Sequence, residues 1–243
     1  MSSPSHPSGP VEAFPHGRHP RLAALLLLAQ FVCMWMAFFI LMPAIDWPAS
    51  LDQPPSVVLP LIVQQAGPVL AGYTFYLAHA LLLIPLAIVL AGTLHMTRTL
   101  GSLAIALGVL AGLAKALGIV RWIFLMPVLA ASYLDPAASA ASRAAIETIY
   151  IAFNAYAGGV GELLGVALFA GLWTVLISIA LLRGGARWLG VTGLVAALGL
   201  LATLSSLAGF ESAILLTLSG IVWQVWTAAV AVWHLRSSRE ARA

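Results

Sequence analysis

The sequence predicts an all-α, polytopic membrane protein: a bundle of six transmembrane helices with an external interfacial helix before the fourth span. Three observations carry that prediction. Of 243 residues 62% are apolar and only 8% charged, where a soluble domain carries about 25% charged residues, and the mean hydropathy is +1.02. Six apolar runs each meet the roughly 20 residues that a bilayer requires. The connections between those runs alternate in charge, as a chain that crosses a membrane repeatedly must.

Taken in order, residues 1–20 predict a disordered cytoplasmic tail, rich in Pro, Ser, Gly and His and too poor in apolar side chains to offset the entropy of ordering. His6, His16 and His19 in this tail are candidate metal ligands, although a solvated tail is the plainer reading. The transmembrane domain spans 21–235, and 236–243 form a basic cytoplasmic tail. The first run, Leu22 to Ile45, is longer than a signal-peptide core and is retained as a span. Further spans follow at Gly67 to Leu94, Leu103 to Ala130, a fourth ending at Leu182, Trp188 to Ala208, and Ser212 to Trp233.

Arg18, Arg21, Arg98, Arg183, Arg187, Arg236, Arg239 and Arg242 fall on one side of this topology. Asp46, Asp52, Asp135 and Glu211 fall on the other, with Arg143 its one basic residue. The excess of arginine therefore places both termini in the cytoplasm. The lone cysteine, Cys33, excludes an internal disulfide and a cysteine-based metal site.

Two external loops carry structure. The first holds Pro48, Pro54, Pro55 and Pro60, which fix backbone angles and oppose helix. The second begins at Tyr133, and Asp135 followed by Pro136 predicts a helix start there. A single helix from Pro136 to Leu182 would run about 70 Å, well beyond a bilayer. A break is therefore expected at Gly158 and Gly159, separating a segment with Arg143, Glu147 and Asn154 from the fourth span proper.

The chemistry lies in the middle of the chain. Lys115, Arg121 and Glu162 sit within apolar runs, where a charge costs about 2.5–3.5 kcal/mol and so pairs with another or lines a cavity. Lys115 is the only lysine. A buried amine can lose its proton where a guanidinium cannot, which makes it the candidate for a proton-linked role, against the plainer role of a fixed ion pair between helices. Arg121 is expected at the outer mouth, reaching toward the headgroups. By depth Glu162 matches Arg121 and by helical face it matches Lys115, and both pairings stay open.

Small residues recur every fourth position at Ala104, Gly108, Gly112 and Ala116, and again at Gly161 and Gly165, which predicts that the third and fourth spans pack closely. Polar stripes at helical spacing are expected to turn inward. They comprise Gln30 and Cys33 on the first span, Tyr76 and His79 on the second, Thr192, Gly199, Thr203 and Ser206 on the fifth, and Thr217, Gly220, Gln224, Thr227 and His234 on the sixth. The candidate pathway is thus Lys115, Arg121, Glu162, Asn154, Glu147, Gln224, Tyr76 and His79. His79 near mid-membrane, with His95 and His234 at the inner ends, does not match two axial haem ligands at one depth, and no cofactor or metal is assigned.

Arg121 within the third span, the segment AFNAYAGGVGELLG with Glu162, and Arg187-Trp188-Leu189 leading into Gly193 resemble the bacterial membrane family of domain of unknown function 4386. That resemblance implies a helical protein of the bacterial inner membrane and carries no activity. The residues themselves point to a bundle that binds or passes a small solute, ion or lipid through a polar interior centred on Lys115 and Glu162. The competing classes are an accessory or regulatory subunit whose buried charges are structural, with a membrane protein as partner, and a haem- or metal-binding redox protein. Nucleic acid is not a partner the charge pattern favours.

Overall fold

The computed structural model describes residues 19–94, 96–210 and 213–240. His6 and His16 of the expected disordered tail, together with His95, Glu211 and Arg242, lie outside the described residues. Helix α1 (Pro20–Ile45) opens with proline at its first position, where the missing N–H costs nothing. It stops at Asp46, whose left-handed backbone (φ 57°) sends its N–H to the Met42 carbonyl, a conformation that aspartate tolerates.

The proline-rich connection is more helical than its composition suggests. A short 3₁₀ turn (Ala49–Leu51) leads into α2 (Pro55–Gln64). The expectation that its prolines oppose helix is therefore corrected: Pro55 occupies the first helical position, and only Pro60 falls inside. Helix α3 (Ala66–Thr93) follows, then α4 (Arg98–Tyr133), whose N-cap Thr97 accepts the amide of Leu100.

Helix α5 (Ala140–Gly158) begins later than the Asp135-Pro136 pair predicts. Asp135 accepts the Ala137 amide in a local turn, and Ser139, bonded to the Ser142 amide at 3.1 Å, is the actual cap. The expected break at Gly158 and Gly159 is also corrected. The chain stays helical from Ala140 to Arg183, 44 residues, but passes through a π-helical stretch (Gly159–Ala170) before α6 (Gly171–Arg183). Wider winding replaces the break.

Helix α7 (Arg187–Ala202) is entered through Gly185 at φ 87° and extended by a 3₁₀ turn (Thr203–Ala208) that Gly209 closes at φ 81°. Both glycines hold a left-handed backbone that other residues rarely adopt. Helix α8 (Ala213–Glu240) completes the chain and carries helix through much of the stretch expected as a basic tail. Among the described residues there is no strand, and six helices are long and apolar enough to cross a membrane: α1, α3, α4, the α5–α6 continuum, α7 with its 3₁₀ turn, and α8. The chain is an all-α membrane protein.

Packing places α1 against α3 and α8, α3 against α4, α4 against the π-helical stretch, and α7 between α6 and α8. The third and fourth spans do meet, as expected, but only partly through the ladder read from the third span. A Cβ on Gly108 would collide with Ala87 and Trp173, and one on Gly112 with Ala80 and Ile84, so those two rungs receive α3 and α6. The π-helical part of the fourth span approaches at Gly118, where a Cβ would lie 2.7 Å from the Cα of Gly161, and Gly165 sits on Lys115.

The polar stripes divide in the same way. Gln30, His79, Gln224, Thr227 and His234 are buried, as expected. The fifth-span stripe is mixed: Gly199, Thr203 and Ser206 are half-buried, but Thr192 is exposed and its hydroxyl returns to the Trp188 carbonyl at 2.8 Å. A threonine satisfied by its own helix can face lipid without an unpaired hydroxyl.

Candidate functional site

Two cavities meet at the junction of α1, α3, α4, the π-helical stretch and α8. The larger, of about 210 Å³, has walls from Met34, Phe38, Val166, Leu200, Leu216 and Trp223. Its polar lining includes Tyr76, His79, Lys115, Glu162 and Gln224. The smaller, about 30 Å³, lies among Tyr73, Tyr76, Lys115, Arg121, Trp122 and Glu162, room for about two waters. Trp47, Leu51, Tyr76, Lys115 and Glu162 line both.

Lys115 reaches this lining because Gly165 has no side chain to exclude its aliphatic stem. Its Nζ lies 2.9 Å from His79 Nε2 and 5.3 Å from the Trp223 ring, close enough for a cation–π contact. The tautomer of His79 follows from its other nitrogen. Nδ1 is 3.0 Å from the Gln30 carbonyl oxygen, which only accepts, so Nδ1 carries the proton and Nε2 accepts from the lysine. Gln30 closes the ring by donating its Nε2 to the His79 carbonyl at 3.1 Å. Two helices are thereby stitched together around a fixed imidazole.

Arg121 does not reach the outer mouth as expected. It is 8% exposed, and its guanidinium turns back to donate to the Gly118 carbonyl at 2.7 Å and to Asn154 Oδ1 at 3.2 Å. Asn154 in turn donates to the Leu51 carbonyl at 3.0 Å. Arginine and asparagine therefore fasten α4, α5 and the connection after α1 above the cavities. Beneath them Tyr73 stacks on Trp122 at 4.9 Å.

Glu162 makes no hydrogen bond or ion pair among the described residues, although it lines both cavities with Lys115 and Arg121 beside it. Neither of the two pairings left open by the sequence is a direct contact. Glu147 accepts the Tyr133 hydroxyl at 2.7 Å, where α4 ends, and lines neither cavity. Gln224 Oε1 and Trp47 Nε1, both on the larger cavity, have no partner among the described residues. Buried polar atoms of this kind call for water or a ligand.

Sequence reasoning missed Gln30 as the partner of His79, Gly118 as the point of closest approach, and Trp47 as a wall of both cavities. A signal existed for the second, since Ala114 and Gly118 are themselves four apart. Nothing local marks Trp47. Among the described residues no three His, Cys, Asp or Glu side chains come together as a metal-ligand set. The third tail histidine, His19, lies at the start of α1.

The family described as a domain of unknown function, 4386, matches residues 22–235. The chain belongs to that family. The match covers every described span almost to its ends, and so includes both cavities. No curated protein and no solved structure matches the chain.

Proposed function

We propose that this membrane protein binds, and in passing releases, a small molecule with an apolar body and one polar end, held in the larger cavity. The observation that carries this reading is the cavity itself: about 210 Å³ of mainly apolar wall that includes Lys115, His79, Glu162 and Gln224 in its lining. An apolar cavity of about 150 Å³ admits benzene, so this one suits a ring or short chain bearing a single polar substituent. Lys115 has N–H groups beyond the one given to His79, and Glu162 has both oxygens to offer. A ligand's head group gains most where protein groups are already desolvated and aimed.

Tryptophans 35, 47 and 223 line the cavity, so filling it should change intrinsic fluorescence. Phenylacetate and benzyl alcohol titrated into the purified protein in lipid nanodiscs test the reading. Saturable changes are expected for both, with K115M and E162Q altering the phenylacetate response. If both variants respond as the parent does, Lys115 and Glu162 are packing elements and the reading fails.

The same reading places the protein in a bacterial inner membrane with both termini in the cytoplasm. Its support is the arginine bias, with Arg98, Arg183 and Arg187 at one end of the bundle and Asp46, Asp52 and Asp135 at the other. A single cysteine introduced beside Asp135 in a C33S background should react with an impermeant maleimide in intact spheroplasts. Labelling only after lysis would reverse the orientation.

A further inference from the structure

The geometry points to a covalent role for Lys115: we propose that its amine captures a small apolar aldehyde as an imine inside the larger cavity. This rests on the cavity being a ligand site, and goes beyond it by naming the ligand's reacting group. An activated nucleophile is recognised by a base within hydrogen-bond reach and a third group that orients the base. All three are present. Lys115 Nζ is 2.9 Å from His79 Nε2, and the Gln30 carbonyl, 3.0 Å from Nδ1, leaves the Nε2 lone pair facing the amine. Gln30 is itself fixed by its bond to the His79 carbonyl.

This arrangement is unusual for a purely structural lysine. A buried ammonium retained for packing is expected to meet carboxylates or carbonyls, whereas the polar partner given to this one is an imidazole nitrogen able to take its proton. The amine also lines a mainly apolar chamber, which would draw in a hydrophobic carbonyl compound. Glu162 lines the same chamber and makes no hydrogen bond among the described residues.

The chemistry balances without an oxidant or reductant. His79 Nε2 takes a proton from the Lys115 ammonium, and the freed amine forms a C–N bond to the aldehyde carbon. The carbonyl oxygen takes up that proton from His79 to give a carbinolamine. Glu162 in its acid form then protonates the hydroxyl, the C–O bond breaks and water leaves. As water leaves, the Glu162 carboxylate takes the second proton from the carbinolamine nitrogen, so the product is a protonated imine on Nζ with Glu162 again in its acid form. In sum, aldehyde and ammonium give iminium and water.

Lys115 is the only lysine, so the test has a clean readout. The full chain in nanodiscs is incubated with benzaldehyde and cyanoborohydride, which reduces an iminium to a stable benzylamine, and the adduct is mapped by peptide mass spectrometry. Benzyl alcohol, nearly the same shape but unable to form an imine, is titrated in parallel by tryptophan fluorescence. One benzyl group on Lys115, formed about tenfold or more faster than on the amino terminus, is the expected result. H79Q should slow it roughly a hundredfold, the low end of what a positioned base contributes, and K115R should bind benzyl alcohol yet give no internal adduct.

An adduct on the amino terminus alone, with benzyl alcohol still binding, overturns the imine and leaves the cavity reading intact. If benzyl alcohol does not bind either, the cavity reading falls with it. Should H79Q not fold, E162Q keeps the proposal exposed: labelling of Lys115 at the parental rate would remove Glu162 from the dehydration step and sink the sequence as written.

Discussion

The two halves of the bundle differ in how completely their buried polar groups are satisfied among the described residues. Where α6, α7 and the middle of α8 meet, hydroxyls bond back within their own helix and two indoles bond to the helices they pack against. Thr174 and Ser178 bond back to Ala170 and Thr174 carbonyls at 2.7 Å, Trp223 donates to Thr174 at 2.8 Å, and Trp226 donates to the Leu189 carbonyl at 2.9 Å. Around the cavities, polar groups reach across to other elements, as Gln30, Lys115 and Asn154 do, or lack partners among the described residues, as Gln224, Trp47 and Tyr73 do. Trp173 and His234 are the exceptions in the first half. Polar residues in a bundle become informative when their own helix does not satisfy them, because every unpaired group in the bilayer interior is costly.

The largest expected effect breaks the contact that brings the halves together. Gly118→Leu must push a side chain through the Gly161 backbone, which has no flexible end to move aside. Overpacking typically costs about 1–3 kcal/mol, occasionally more, and a backbone clash belongs at the upper end. Little monodisperse protein is expected from size-exclusion chromatography. Gly159→Ala, on the same stretch but with nothing within 4 Å of the new Cβ, should be neutral or slightly stabilising.

Next in size is the clasp above the cavities. Asn154→Ala removes both the acceptor of Arg121 and the donor to the Leu51 carbonyl, leaving a buried guanidinium short of a partner. A loss of about 1–3 kcal/mol is expected, read as a lowered midpoint in a detergent thermal melt. Because Leu51 lines both cavities, phenylacetate binding should weaken as well. A melt shift with unchanged binding would separate the clasp from the site.

How much of this was legible depended on whether a residue declares itself alone. Lys115, Arg121 and Glu162 stand out because a charge in an apolar run has few explanations. The spans were visible for the complementary reason. What stayed hidden was relational. Pairing His79 with Lys115 requires the rotation of α3 against α4, which neither helix encodes separately. The faces of the fourth span were assigned at 100° per residue, and that rule lapses at Gly159, where π-helical winding begins. Trp47 sits in a connection, so no periodicity points to it. The bond from the Tyr133 hydroxyl to Glu147 joins two helices, and no periodicity within either announces it.

The packed half supplies a smaller test. Thr174→Val keeps the shape of the side chain but removes the acceptor of the Trp223 indole. Leaving one buried donor unpaired should cost about 1–3 kcal/mol, toward the lower end because the donor is neutral. Trp223 also forms a wall of the larger cavity. Its ring is still held by its neighbours, so the phenylacetate response should persist with at most a small change in affinity.

The smallest expected effect concerns a polar residue that points away from both halves. Thr192 is exposed on α7, and its hydroxyl is engaged by the Trp188 and Leu189 carbonyls of its own helix. In Thr192→Val the carbonyls keep their backbone partners and the new methyl meets lipid, so neither an unpaired donor nor a cavity is created. Stability should stay within about 0.5 kcal/mol of the parent, with ligand response unchanged. If this variant loses the fold while Thr174→Val does not, the exposed face of α7 must be covered by another protein chain, and self-satisfaction by the local helix would cease to mark a residue as free of any wider role.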